Sequence, residues 1–140
     1  MPILTRDIPF GSRRVREDLQ RERGLTAEQA EEVVQGRQTI PGLEQVVEAA
    51  ADEVGVGIER AAAFLMTRQS GEGIGEIFLS GGGARIPGMA DALTRRMSVT
   101  TELVNPFERI PVDPAAGGGL NLEEASPMLL LSLGLALRTA

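Results

Sequence analysis

Hydrophobic positions along the chain change period several times, and each change marks an element. Ile3, Ile8 and Phe10 read as a short strand over Met1 to Phe10, whose ladder pairing Pro2 and Pro9 limit because neither carries an amide hydrogen. Gly11-Ser12 turns the chain into a helix over Arg13 to Arg23, closed by Gly24 at the C-cap position. Thr26 and Gln29 stand at capping-box spacing and open a second short helix that ends at Gly36. After Pro41, the residues Leu43, Val46, Val47, Ala50, Val54, Ile58, Ala61, Ala62 and Leu65 recur at three- and four-residue steps, the period of one buried helical face. Gly55 and Gly57 interrupt that face. Each weakens a helix by about 1 kcal/mol relative to Ala, so a kink or close packing is expected there.

The second half is built differently. Glu76 to Ser80 reads as a buried strand, and Pro87 opens a helix with Met89, Leu93 and Met97 on one face as core filler. Val99 to Val104 is a further short strand, stopped by Asn105-Pro106, and Pro111 to Gly119 is a loop. Ser126 and Pro127 read as the N-cap and first residue of a last helix, Met128 to Arg138, which is apolar nearly all round. Strands alternating with helices predict an α/β fold, though with few strands for so many helices. No internal repeat is present.

Composition narrows the function. The chain has 140 residues, 42% of them hydrophobic and 24% charged, which suits one soluble globular domain. Aromatics make up only 3%, so Leu, Val, Ile, Ala and Met must build the core. A net charge of -6 argues against a nucleic-acid surface. Arg13, Arg14, Arg16, Arg21 and Arg23 do cluster, but Glu17, Asp18 and Glu22 interrupt them, as on a solvated helix face. Without Cys there is no disulfide framework, and without Cys or His a zinc site is not expected. The start lacks a signal-peptide pattern, and the run Met128 to Leu137 is too short to span a bilayer.

One segment carries candidate chemistry. Ile77-Phe78-Leu79-Ser80 leads into Gly81, Gly82 and Gly83, followed by Ala84-Arg85-Ile86-Pro87-Gly88. A strand, a bare-backbone turn and a helix start let a flat ligand lie directly against the main chain. The same glycines also fit a turn with no ligand. No Gly-Lys-Ser/Thr marks a P-loop, and Gly71-Glu72-Gly73-Ile74-Gly75 precedes its strand, whereas a dinucleotide fingerprint follows one.

The strand-GGG-A-x-x-P-G pattern resembles the adenosine motif of the actin-like ATPases. The order of further motifs is most similar to the PilM family of type IV pilus assembly proteins. Thr5-Arg6-Asp7-Ile8-Pro9-Phe10-Gly11 comes first, with Gly11-Ser12 where the family has a glycine pair. Gly24-Leu25-Thr26 follows, with Glu28, Ala30 and Glu31, then Ile58-Glu59-Arg60 and Phe64. Asn105-Pro106-Phe107 and Ser132-Leu133-Gly134-Leu135-Ala136-Leu137 complete the set.

This resemblance implies a partial actin-like ATPase fold: the second lobe, plus a C-terminal helix returning to the first. Residues 1–24 would end the central sheet and supply the first helix of that lobe. Residues 25–104 would form the nucleotide-covering subdomain, and residues 105–140 the return loop and helix. The implied cofactor is ATP with Mg, held mainly by two Asp-Gly hairpins that the resemblance places before Met1. Gly81, Gly82 and Gly83 would then lie along the ribose and α-phosphate, with Glu31 near the ribose and purine. A solvated helix carboxylate is an equal reading of Glu31. Val34 stands where the family has a Lys beside the purine.

No catalytic residue and no metal ligand is assigned. The implied role is a nucleotide-binding scaffold, cytoplasmic and peripheral at the inner membrane, in pilus assembly and twitching motility. The implied partners are the cytoplasmic tail of a PilN-like inner-membrane protein, other machine subunits, and further copies in a ring. An FtsA-like or Hsp70-like ATPase is the alternative, but Asp7 and Asp113 are single carboxylates in turn-like contexts, suited to caps or solvated loops. A free-standing small binding domain is the third reading.

Overall fold

The computed structural model describes residues 2–66, 73–113, 118–119 and 121–138. Helix α1 spans Ser12–Arg23 and ends at Gly24, whose φ of 67° carries its amide back to the Gln20 carbonyl at 3.1 Å. Helix α2, Ala27–Val34, opens with the expected capping box: Thr26 Oγ1 accepts from the Gln29 amide, and Gln29 Oε1 accepts from the Thr26 amide. It closes in a Schellman turn. The Gly36 amide (φ 74°) donates to Val33 O at 3.0 Å and the Arg37 amide to Glu32 O at 2.8 Å.

Helix α3 runs over Leu43–Met66, beginning after the Pro41-Gly42 turn. Its two glycines are sites of close approach. A methyl on Gly55 would stand 3.0 Å from Arg96 Cγ, and one on Gly57 would stand 2.6 Å from Ile8 Cδ1. Their missing side chains let a later helix and the N-terminal segment press against α3. Strand β1 is Glu76–Leu79, helix α4 is Met89–Met97 and strand β2 is Thr100–Leu103. The two strands pair in parallel, Glu76 opposite Thr100 and Leu79 opposite Leu103, with α4 as the crossover. Helix α5 covers Leu122–Ala136.

The core lies between the helices. Val15 and Leu19 of α1, Ala30, Val33 and Val34 of α2, Val46 and Val47 of α3, and Met89 and Leu93 of α4 form one buried cluster. Arg96 of α4 bonds Asp52 at 2.5 Å and Glu59 at 2.8 Å, tying α4 along α3 at the rim.

Three sequence expectations are corrected. Pro2 to Phe10 forms no strand among the described residues: the Phe10 amide bends back to the Ile8 carbonyl at 2.7 Å around Pro9, which breaks the extended line a ladder needs. Strand β1 is not buried on both faces, because Phe78 is 60% exposed. The last helix starts at Leu122 behind an Asn121 cap, so Ser126 and Pro127 lie inside it. Proline removes the amide that would reach Glu123 O, and the Ser126 hydroxyl donates to that carbonyl instead, at 3.0 Å. Of the expected 111–119 loop, residues 111–113 and 118–119 are irregular or turn as anticipated, and residues 114–117 lie outside the described set.

Candidate functional site

The glycine turn is shaped by its backbone. Gly81 has φ 86° and ψ 178°, a region essentially closed to residues with a side chain. That reversal takes the chain from β1 into a 3-10 turn over Gly82–Arg85, closed by the Ala84 amide on Gly81 O at 3.2 Å. The amides of Gly82 and Gly83 precede that first bond, so the turn itself offers them no partner. A methyl at Gly81 or Gly82 would meet nothing within 4 Å, leaving this face of the main chain open. Gly88, with φ 82°, then starts α4.

Two helices close on this turn. The N-terminus of α1 comes first: a methyl on Gly83 would lie 3.9 Å from the Ser12 nitrogen. Helix α5 comes second, with the Gly81 amide donating to Pro127 O at 2.8 Å and Arg85 facing Glu124 at 3.9 Å. Beneath the turn, a cavity of about 290 Å³ opens among Phe10, Leu79, Ser80, Gly83 and Leu93. Its walls are largely carbon, so it suits an apolar group and not a phosphate.

Glu31 sits on α2, partly exposed, and it is not a bare surface carboxylate. Arg16 of α1 pairs with it and the Gln35 amide donates to it. The bond from Arg16, then that from Gln35, holds its carboxyl below the ordinary range. Arg16 is one helical turn beyond Ser12, about 6 Å along the axis, so α1 meets Glu31 through Arg16 and approaches the glycine turn at Ser12. Val34, one turn on along α2, is buried. It is only 5% exposed, within the core cluster, so a polar group at this position would be buried in carbon.

Sequence reasoning missed Arg16, Gln35, Ser126, Pro127 and Arg85 as neighbours of these groups. Gln35 was findable, four residues from Glu31 on one helix. Arg16 carries no local signal, being fifteen residues away. Asp7 and Asp113 are exposed in irregular segments. Among the described residues no three acidic side chains converge to hold a metal ion, and no helix is long and apolar enough to cross a membrane.

Residues 2–140 match the family of the type IV pilus assembly protein PilM. The chain belongs to the PilM family. A solved PilM–PilN type IV pilus biogenesis complex contains a similar chain, at 30% identity and a TM-score of 0.67. The match covers 90% of this chain and 36% of that one, so the present chain spans about a third of its length. The α/β reading and the family read from the motifs therefore both stand, as a part of the PilM fold.

Proposed function

We propose that this chain is the nucleotide-covering portion of an actin-like PilM scaffold in the type IV pilus assembly machine. The observation that carries the reading is the PilM family match over residues 2–140. The protein would work in the cytoplasm, held at the inner membrane through the cytoplasmic tail of a PilN-like partner. Other machine subunits, and further copies in a ring, complete the assembly. The solved PilM–PilN complex supports the partner class by likeness.

ATP with Mg is the proposed cofactor, supplying charge and shape that favour a closed arrangement over an open one. The open backbone face of Gly81 and Gly82, with Gly83 beside the start of α1, would lie along the ribose and α-phosphate. Glu31 would accept from ribose or purine with the lone pairs that Arg16 and Gln35 leave unused. The metal-binding and terminal phosphate contacts are assigned to no residue of this chain.

The test is binding by the full-length protein to a synthetic peptide of the PilN cytoplasmic tail, followed by fluorescence polarisation with and without Mg-ATP. Saturable binding that Mg-ATP alters is expected. A flat titration to about 1 mM, an affinity worth only about 4 kcal/mol, would overturn the scaffold reading.

A further inference from the structure

The segment before α1 forms no strand, yet it is fastened to α3 at two points. Arg6 lies over the Phe64 ring, 5.3 Å from its centroid. Ile8 sits in the notch left by Gly57, where a methyl would stand 2.6 Å from Cδ1, 2.8 Å from Cγ1 and 3.1 Å from Cγ2. Ile8 also lines two cavities. One of about 490 Å³ runs along α3 past Ile58 and Leu65, and the other is the 290 Å³ space beneath the glycine turn. With open space on both sides, the bare backbone at Gly57 is the floor on which Ile8 rests.

From that seat a short path leads to the candidate site. The Phe10 amide donates to Ile8 O at 2.7 Å, and Phe10 packs against the core. Gly11 then starts α1, whose Ser12 nitrogen lies 3.9 Å from where a methyl on Gly83 would stand. The cavity means that no packed side chains fix the gap between this segment and the turn from below. A side chain pushed off its seat can yield into such a void, where a close-packed interior would resist.

We propose that Ile8, seated at Gly57, is a positioning residue for the nucleotide, setting the spacing between the start of α1 and the glycine turn. This rests on the nucleotide reading given above. A methyl on Gly57 lifts Ile8, and Phe10 and Gly11 move with it. Shortening Ile8 leaves the notch empty and the segment slack. Making both changes lets the new methyl take up the room that the shortened side chain vacates.

The experiment measures Mg-ATP and Mg-tripolyphosphate binding by calorimetry, and the thermal midpoint, for the full-length protein and its Gly57→Ala, Ile8→Ala and doubly substituted variants. Each single change should weaken Mg-ATP binding about three- to tenfold, the size of effect a contact remote from the ligand transmits. The double variant should return to within about twofold of wild type, because the two sites are coupled through one contact. Tripolyphosphate, which lacks the ribose, should bind all four proteins alike. Lower midpoints with unchanged ATP affinity would make the seat structural only and overturn the proposal. So would equal weakening of both ligands, or a double variant that does not recover. If Gly57→Ala fails to fold, Ile8→Val, which deletes the Cδ1 nearest the notch, carries the affinity test in its place. Absence of ATP binding by the wild type removes the nucleotide reading, and this inference with it.

Discussion

At the scale of single residues, the three glycines are not equivalent. Gly81 needs its conformation, whereas Gly82 occupies open space at ordinary dihedral angles. Gly81→Ala should therefore lose about 1–3 kcal/mol through backbone strain alone, and Gly82→Ala less than about 0.5 kcal/mol. Urea unfolding of the two variants separates them, and equal midpoints would contradict the turn described here. Glu31 makes a second prediction. Its folded pKa is lowered, so its contribution to stability is fully present above the unfolded value and is lost as pH falls through the folded one. The advantage of wild type over Glu31→Gln should hold near neutrality and shrink below the ordinary value of 4.5. An advantage that grows in acid would reverse the sign. The sequence showed that Glu31 is acidic and on a helix. It had no means of showing that Arg16 grips it.

Among the elements, α2 and α5 make opposite lessons. Both ends of α2 were legible, because capping box and Schellman turn are settled within a few residues of chain. Helix α5 was misread by a signal just as local: Ser-Pro is a good helix start, yet Asn121 starts the helix one turn earlier. Packing decided between them. Ser126 is 3% exposed, and Pro127 O receives the Gly81 amide, contacts that bury the pair against the glycine turn. The Ser126 hydroxyl matters only because proline leaves Glu123 O without its amide. Ser126→Ala should lose about 0.5–1.5 kcal/mol in the native background and markedly less in Pro127→Ala, where the amide returns. A thermodynamic cycle of the two changes reads that coupling directly, and strict additivity would refute it.

For the whole molecule, the core and the apolar surface are separate regions. Leu93 is 1% exposed between α3 and α4, whereas Leu131 of α5 is 75% exposed. Leu93→Ala should cost about 2–5 kcal/mol, while Leu131→Asp should leave the unfolding free energy of this chain within about 0.5 kcal/mol. A large loss from Leu131→Asp would mean that α5 packs otherwise than described. The same sequence pattern, a leucine on a helix, thus carries opposite energetic weight at the two positions. The difference lies in what each helix packs against.

The sequence by itself determined the existence of the helices, both ends of α2, the alternation of strands with helices and, through the order of its motifs, membership of the PilM family. These rest on contacts between residues a few positions apart, or on a linear order that needs no folding to be read. The tertiary structure alone decided that Pro2 to Phe10 bends away from a ladder and that Val34 enters the core. It alone placed α5 on Gly81, Arg16 on Glu31, and the Gly36–Arg37 corner against Pro87. Each of these joins residues distant in sequence. Their energy depends on burial and on the partner met there, which no local pattern encodes.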